Sequence, residues 1–361
     1  MTPRFARLSL AALILLAGTL TCQRDASATL RSIILIVADG TGIGQHSLSY
    51  YQNDRYSPAS FEHVGLMTTH PSNRQRVTDS AAAATAFSTG VKTYNGAIAV
   101  NDAKEPLKTV LEYSQELGMA TGLVATSSIT HATPAAFIAH VDSRQKEDII
   151  AQQMAEAGVT VLFGGGREFF LSKEQGGAQE TDLLAAMSAR GVQVVDSLNQ
   201  AVDEDRPVVG LFHLGGMPPA HENRKPTTTD MAMRALSFLE NDPDGFFLMV
   251  EESQVDWGSH GNSGDYVKAE MASLNNLVDA LLEYQSLHPE VLVLLVADHE
   301  TGGLSLANEG SDQDLSAHWT SGSHTGNMVP IFASGPGSER FDAIVDNTFI
   351  GESLIHFVTS R

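Results

Sequence analysis

Hydrophobic and polar positions divide this chain into short apolar runs and amphipathic segments. From Ile33 to Ala38 six apolar residues follow one another without a polar break, and the run stops at Asp39 and Gly40. Such a run, rich in β-branched residues, predicts a strand covered on both faces, as in a parallel sheet. Two later runs repeat the pattern. Phe246–Val250 stops at Glu251 and Glu252, and Val291–Ala297 stops at Asp298, His299 and Glu300. In open α/β sheets ligands collect outside the carboxyl ends of the strands, where these acidic and imidazole groups stand. A single aspartate is accounted for by capping the loop that follows it. Three strand ends together point to a metal site, because clustered carboxylates need a cation to stay ionised.

The intervening sequence alternates. Leu107–Leu117 predicts a helix stopped by Gly118, and Ala120–Thr126 a strand. Lys146–Ala157 predicts a helix stopped by Gly158, followed by a strand at Val159–Phe163 that closes on three glycines, 164–166. Thr181–Ala189 and Thr229–Leu239 read as helices around strands at Val192–Val195 and Val208–Phe212. Tyr266–Tyr284 is a long amphipathic helix, and a last apolar strand begins at Met328. This order predicts an α/β fold, a three-layer sandwich whose large, mostly parallel central sheet is flanked by helices. No internal repeat or linker interrupts it, so residues 29–361 are expected to form one catalytic domain.

Polar residues break the pattern at a few informative places. In Thr78–Thr85, Asp79 or Thr78 can cap a helix whose first turn carries Ser80, near the positive end of the helix dipole. Four alanines follow, Ala81–Ala84, which favour helix and let neighbouring elements approach closely. Thr130–Pro134 includes His131 and Thr133, with Arg144 shortly after. Asp256 and His260 lie at i and i+4, one helical turn apart and able to share an ion. His324 precedes the last strand. Taken singly, each of these is explained by a surface or core position.

Composition adds a compartment and a charge. Residues 1–28 have the form of a secretory leader: Arg4 and Arg7, an apolar segment Leu8–Leu20, and Ala26–Ala28 as small cleavage-site residues. The apolar segment is too short to span a bilayer securely, so no membrane span is expected in the mature chain. Cys22 offers a lipoprotein alternative, which Thr19 and Thr21 fit poorly. The expected location is therefore secreted or periplasmic. Cys22 is the only cysteine, so the mature chain would hold no disulfide. The formal charge is −21; losing Arg4, Arg7, Arg24 and Asp25 removes a net +2 and leaves −23. Such a surface excludes a nucleic-acid-binding role and repels anions at long range, so an anionic substrate must be drawn in by local positive charge.

Taken in order, these motifs resemble the alkaline phosphatases. The resemblance is carried by Val37–Gly40, Thr78–Thr85, His131–Pro134, Val141–Arg144, Gly164–Arg167, Glu251–His260, Ala297–Gly302 and Ser323–Gly326, and it runs from about residue 32 to the end. It implies hydrolysis of small phosphate monoesters at alkaline pH through a phosphoserine on Ser80, with two Zn2+ and one Mg2+ per subunit, in a homodimer. The first zinc would take Asp256, His260 and His324. The second would take Asp298, His299 and one oxygen of Asp39. Magnesium would take the other oxygen of Asp39, Thr133 and Glu251, an oxygen set that suits it, as imidazole and carboxylate suit zinc. Arg144 would grip phosphate through its planar fork.

Two substrate-binding positions depart from well-studied bacterial members: His131 stands where they have Asp, and Trp257 where they have Lys. That bears on the third metal and on the hold on phosphate. The short stretch between Gly303 and His324 implies a reduced or absent crown insertion. A sulfatase would resemble its relatives in a Cys or Ser within a Cys/Ser-x-Pro-x-Arg motif, whereas Ser80 is followed by alanines. Phosphodiesterase relatives usually carry a threonine nucleophile and lack the Arg144 motif. A phosphate- or metal-binding protein without turnover is the reading from a different class.

Overall fold

Both faces of β1 (Ser32–Ala38) are covered, which is why its apolar run has no polar alternation. Ile33, Leu35 and Val37 enter one apolar cluster, and Ile34, Ile36 and Ala38 the other. Each large aliphatic side chain withdrawn from water in this way contributes about 1.5–3 kcal/mol. The computed structural model describes residues 29–308 and 315–360. The expected leader at 1–28, with Cys22, lies outside the described residues.

The further strands are β2 (His63–Thr68), β3 (Ala120–Ser128), β4 (Val161–Gly165), β5 (Gln193–Val195), β6 (Val208–Leu211), β7 (Phe246–Glu252) and β8 (Val291–Val296). After them come β9 (Glu300–Thr301), β10 (Ser305–Asn308), β11 (Leu315–His318), β12 (His324–Thr325), β13 (Val329–Ser334) and β14 (Ile344–Asp346). Ten form one sheet in the order β14-β2-β13-β8-β1-β7-β3-β4-β6-β5. All run the same way except β13, which is antiparallel to both neighbours.

The helices are α1 (Ile43–Gln52), α2 (Ser80–Thr89), α3 (Val110–Glu116), α4 (Ala132–Ala135) and α5 (Glu147–Glu156). They continue with α6 (Leu183–Ala189), α7 (Thr228–Leu239), α8 (Gln254–His260), α9 (Gly264–Leu287) and α10 (Thr348–Thr359). Apolar residues of α1, α7 and α9 fill one face of the sheet, and those of α2, α3, α5, α6 and α10 fill the other. The three-layer α/β sandwich expected from the sequence is the fold observed.

Local chemistry moves several boundaries. The helix expected from Leu107 begins at Val110, because Thr109 and Glu112 close a reciprocal cap: Glu112 N donates to Thr109 Oγ1 at 3.2 Å and Thr109 N to Glu112 Oε2 at 2.8 Å. Asp79 rather than Thr78 caps α2, accepting from Ala82 N at 3.0 Å. The alanines of α2 do permit a close approach: a Cβ on Gly351 of α10 would lie 2.4 Å from Ala86 O and 2.3 Å from Gly90 N. β10 and β11 pair antiparallel within the short stretch after Gly303, and residues 309–314 lie outside the described residues. Among the described residues no helix is long and apolar enough to cross a membrane.

Candidate active site

β8, β1, β7 and β3 are consecutive, parallel neighbours, so their carboxyl ends lie side by side. Asp39 follows β1, Glu251 lies at the end of β7, and Asp298 and His299 follow β8; all four are fully buried. The turn at Gly40 is tight. Its φ is +70°, and a Cβ there would stand 2.6 Å from Asp256 Cα, so glycine is required on both counts. Gly40 N donates to Asp298 Oδ1 at 3.1 Å, which ties two strand ends together.

The helix and strand beyond bring in the remaining groups. α8 carries Asp256 and His260 on one face, with His260 Nε2 3.4 Å from Asp256 Oδ1. β12 delivers His324, whose Nε2 lies 3.6 Å from the same oxygen and 3.1 Å from His260 Nε2. Ser80 opens α2 with its Oγ 3.3 Å from His299 Nε2. His299 Nε2 lies 3.2 Å from Asp298 Oδ2 and 3.5 Å from Asp39 Oδ1. Arg144 points the same way, its guanidinium 3.1 Å from Asp79 Oδ2 and 3.0 Å from His131 Nε2.

Hydrogen bonding fixes which imidazole nitrogens are bare. His324 Nδ1 donates to Thr78 O at 2.9 Å and His260 Nδ1 to Gly322 O at 2.8 Å. Their Nε2 lone pairs therefore face each other and Asp256, an arrangement that a cation between them satisfies. Glu251 is held in the same fashion. Ser253 and Ser127 donate to its Oε2 at 2.7 and 3.1 Å, which leaves Oε1 without a partner. Both oxygens of Asp39, Oδ2 of Asp298 and Oγ1 of Thr133 are likewise buried and unpartnered. Such atoms are costly in a protein interior, and the donor set is one that zinc and magnesium take. Three groups meet the geometry for an ion: Asp256 with His260 and His324, Asp39 with Asp256 and His299, and Asp39 with His131 and Glu251. The residues present fit metal ions.

Electrostatics agree. Burial, then the charges of Asp298, Asp256 and Glu251, hold Asp39 well above the usual carboxylate range. Burial and the Asp256 charge push Asp298 up to about 6, and burial pushes Glu251 up to about 7. Burial holds His299 well below its ordinary value, and burial with the Arg144 charge takes His131 down to about 3. Both imidazoles are neutral, as ligands must be.

The structure thus brings together every site residue expected from the sequence, and it refines their grouping. His131 joins the group that contains Asp39 and Glu251, while Trp257 stands edge-on to it with ring centres 6.4 Å apart. Sequence reasoning missed the groups that orient the others: Asp79 beside Arg144, Ser127 and Ser253 on Glu251, and Thr301.

Parallel strands ending in a buried constellation of carboxylates and imidazoles, with a serine and an arginine at its edge, define a metal-dependent α/β hydrolase. The chain belongs to the alkaline phosphatase family, whose sequence model matches residues 30–313. It is 33% identical to alkaline phosphatase 3 of Bacillus subtilis (strain 168), over 90% of this chain and 88% of that protein. The solved alkaline phosphatase of the Antarctic bacterium TAB5 superposes with a TM-score of 0.85 at 34% identity, covering 92% of this chain and 99% of that one. A mutant of that TAB5 enzyme with magnesium bound in its M3 site superposes at 0.84, with 34% identity over 93% and 99% of the two chains. The protein is therefore an enzyme that hydrolyses phosphate monoesters in a metal-dependent reaction.

Proposed function

We propose that Ser80 is the nucleophile and that the reaction passes through a phosphoserine. One observation carries this reading: the Ser80 hydroxyl lies 3.3 Å from the bare Nε2 of His299, at the rim of the buried, unpartnered carboxylates. Asp256, His260 and His324 would hold one zinc; Asp39, Asp298 and His299 a second; and Asp39, Thr133 and Glu251 a magnesium. Bound there, the cations supply Lewis acidity and the positive charge that keeps the carboxylates ionised. Ser80 Oγ, having passed its proton to solvent water, attacks phosphorus in line, and the bond from phosphorus to the alcohol oxygen breaks as that oxygen takes a proton from water. Water then attacks phosphorus, the bond to Ser80 Oγ breaks, and inorganic phosphate leaves with the serine reprotonated. Arg144 binds two phosphoryl oxygens through its fork, held at the right angle by Asp79. His131 and Trp257 line the same pocket without adding charge.

The remaining features form part of the same reading. Residues 29–361 make one catalytic domain of a homodimer, secreted or periplasmic, released from a leader over residues 1–28. Rates on p-nitrophenyl phosphate, bis(p-nitrophenyl) phosphate and p-nitrophenyl sulfate test it, alongside metal content by mass spectrometry. The monoester is expected to react faster by orders of magnitude, with two zinc and one magnesium per chain. A preference for diester or sulfate ester, or full activity without metal, would contradict the proposal.

A further inference from the structure

Thr301 is fully buried and is joined to three of the six residues assigned above to zinc, His324, Asp256 and His299. Its backbone N donates to Gly40 O at 3.1 Å, beside Asp39, and its strand partner in the β9–β12 pairing is His324. Its carbonyl accepts from Gln45 Nε2 at 2.7 Å, which fixes the backbone from the side of α1. Its hydroxyl lies between the other two: Oγ1 donates to Asp256 Oδ1 at 2.5 Å and lies 3.2 Å from His299 Nδ1.

A threonine hydroxyl has a single proton, so these two contacts are not independent. With that proton on the Asp256 side, the oxygen lone pair faces His299 and accepts from Nδ1–H. The imidazole then carries its proton on Nδ1 and leaves Nε2 bare toward Ser80, Asp39 and Asp298. With the hydroxyl turned round, Asp256 loses its donor and the His299 proton must move to Nε2, where it blocks the ligand position. One rotor thus sets the His299 tautomer and the orientation of Asp256 together. Asp256 Oδ1 also faces His260 Nε2 at 3.4 Å and His324 Nε2 at 3.6 Å.

We propose that Thr301 is a positioning residue that couples the two imidazole-bearing metal sites, ordering His299 for one and Asp256 for the other through a single hydroxyl proton. The inference rests on the assignment of those sites to zinc. Partners that orient metal ligands in this manner are worth about 10- to 100-fold in metal affinity.

Zinc retention in chelator-buffered solution, followed by metal analysis, tests it on the full-length enzyme. Thr301→Val, which keeps the shape and removes the hydroxyl, is expected to weaken both zinc equivalents together, by about 10- to 100-fold. Thr301→Ser keeps the hydroxyl and is expected to restore retention to near that of the parent. Nitrogen NMR of the metal-free protein adds a second readout: the His299 proton sits on Nδ1 in the parent and the Ser variant, and shifts toward Nε2 in the Val variant. Unchanged zinc retention in Thr301→Val, weakening of only one equivalent, or failure of Thr301→Ser to rescue would overturn the coupling. If the parent protein itself takes up no zinc, the metal assignment falls first, and that outcome is distinct from the other three.

Discussion

Trp257 and His131 show how far single residues carry the argument. Both departures from the bacterial pattern were visible in the sequence, but their electrostatic consequence was not, because it depends on burial and on Arg144. Half-buried beside that guanidinium, His131 is held down to about 3 by desolvation and the Arg144 charge and is neutral wherever the enzyme works. Trp257 carries no charge, so it adds no cation to the one that Arg144 supplies beside His131. Inorganic phosphate should consequently bind weakly and leave early, which matters where product release limits turnover. Trp257→Lys restores a charge and is expected to lower the phosphate inhibition constant several-fold; an unchanged constant would remove the kinetic role given to this position. Ser80, Asp39, Asp298, His299 and Arg144 were legible because each stands at a strand end, at a helix start or in a family motif. Thr301 and Asp79 were not, since their partners are fixed only by folding: Asp79 meets Arg144 across 65 residues of sequence, and Thr301 meets Asp256 across 45.

At the scale of elements, the apolar runs gave β1, β7 and β8 almost residue by residue, because burial on both faces leaves a pattern that cannot be mistaken for a surface strand. Other elements were hidden by tertiary demands. In α1 the buried positions include Gln45, His46 and Ser49, which blur its apolar stripe. Gly351 sits inside α10, where propensity disfavours it, because only glycine permits the contact with Ala86 and Gly90. The reversed direction of β13 has no local signal at all. One link between elements bears directly on the site. Glu147, in the first turn of α5, accepts at Oε2 from Ser128 Oγ at 2.8 Å and from Thr130 Oγ1 at 2.6 Å. It thereby pins the end of β3, and with it His131 and Thr133, to the segment that carries Arg144. Glu147→Ala is expected to cost about 1–3 kcal/mol, two charge-assisted bonds being lost, and Glu147→Gln less, since an acceptor oxygen remains. Urea denaturation of the metal-loaded proteins measures both, and equal midpoints would show that this link does not matter.

Across the whole molecule, the buried carboxylates make metal and fold interdependent. Glu251 at about 7 and Asp298 at about 6 lie above their ordinary values, with burial as the first cause. Folded metal-free protein therefore holds protons that the unfolded chain releases, and it gains stability in acid that is lost as pH rises through the interval from about 4 to about 7. The melting temperature of chelated protein should fall between pH 5 and pH 8, while that of the metal-loaded enzyme should not, because the cations hold these groups ionised. Parallel curves for the two forms would contradict the assignment of the cluster to metal.

The most direct test of the mechanism is the turnover of p-nitrophenyl phosphate by Ser80→Ala, loaded with zinc and magnesium and matched to the parent in metal content. Loss of roughly 10⁴–10⁶-fold in kcat, with no phosphate retained on the acid-quenched protein, is the predicted result. Turnover near that of the parent, or phosphate still bound covalently to the variant, would contradict it.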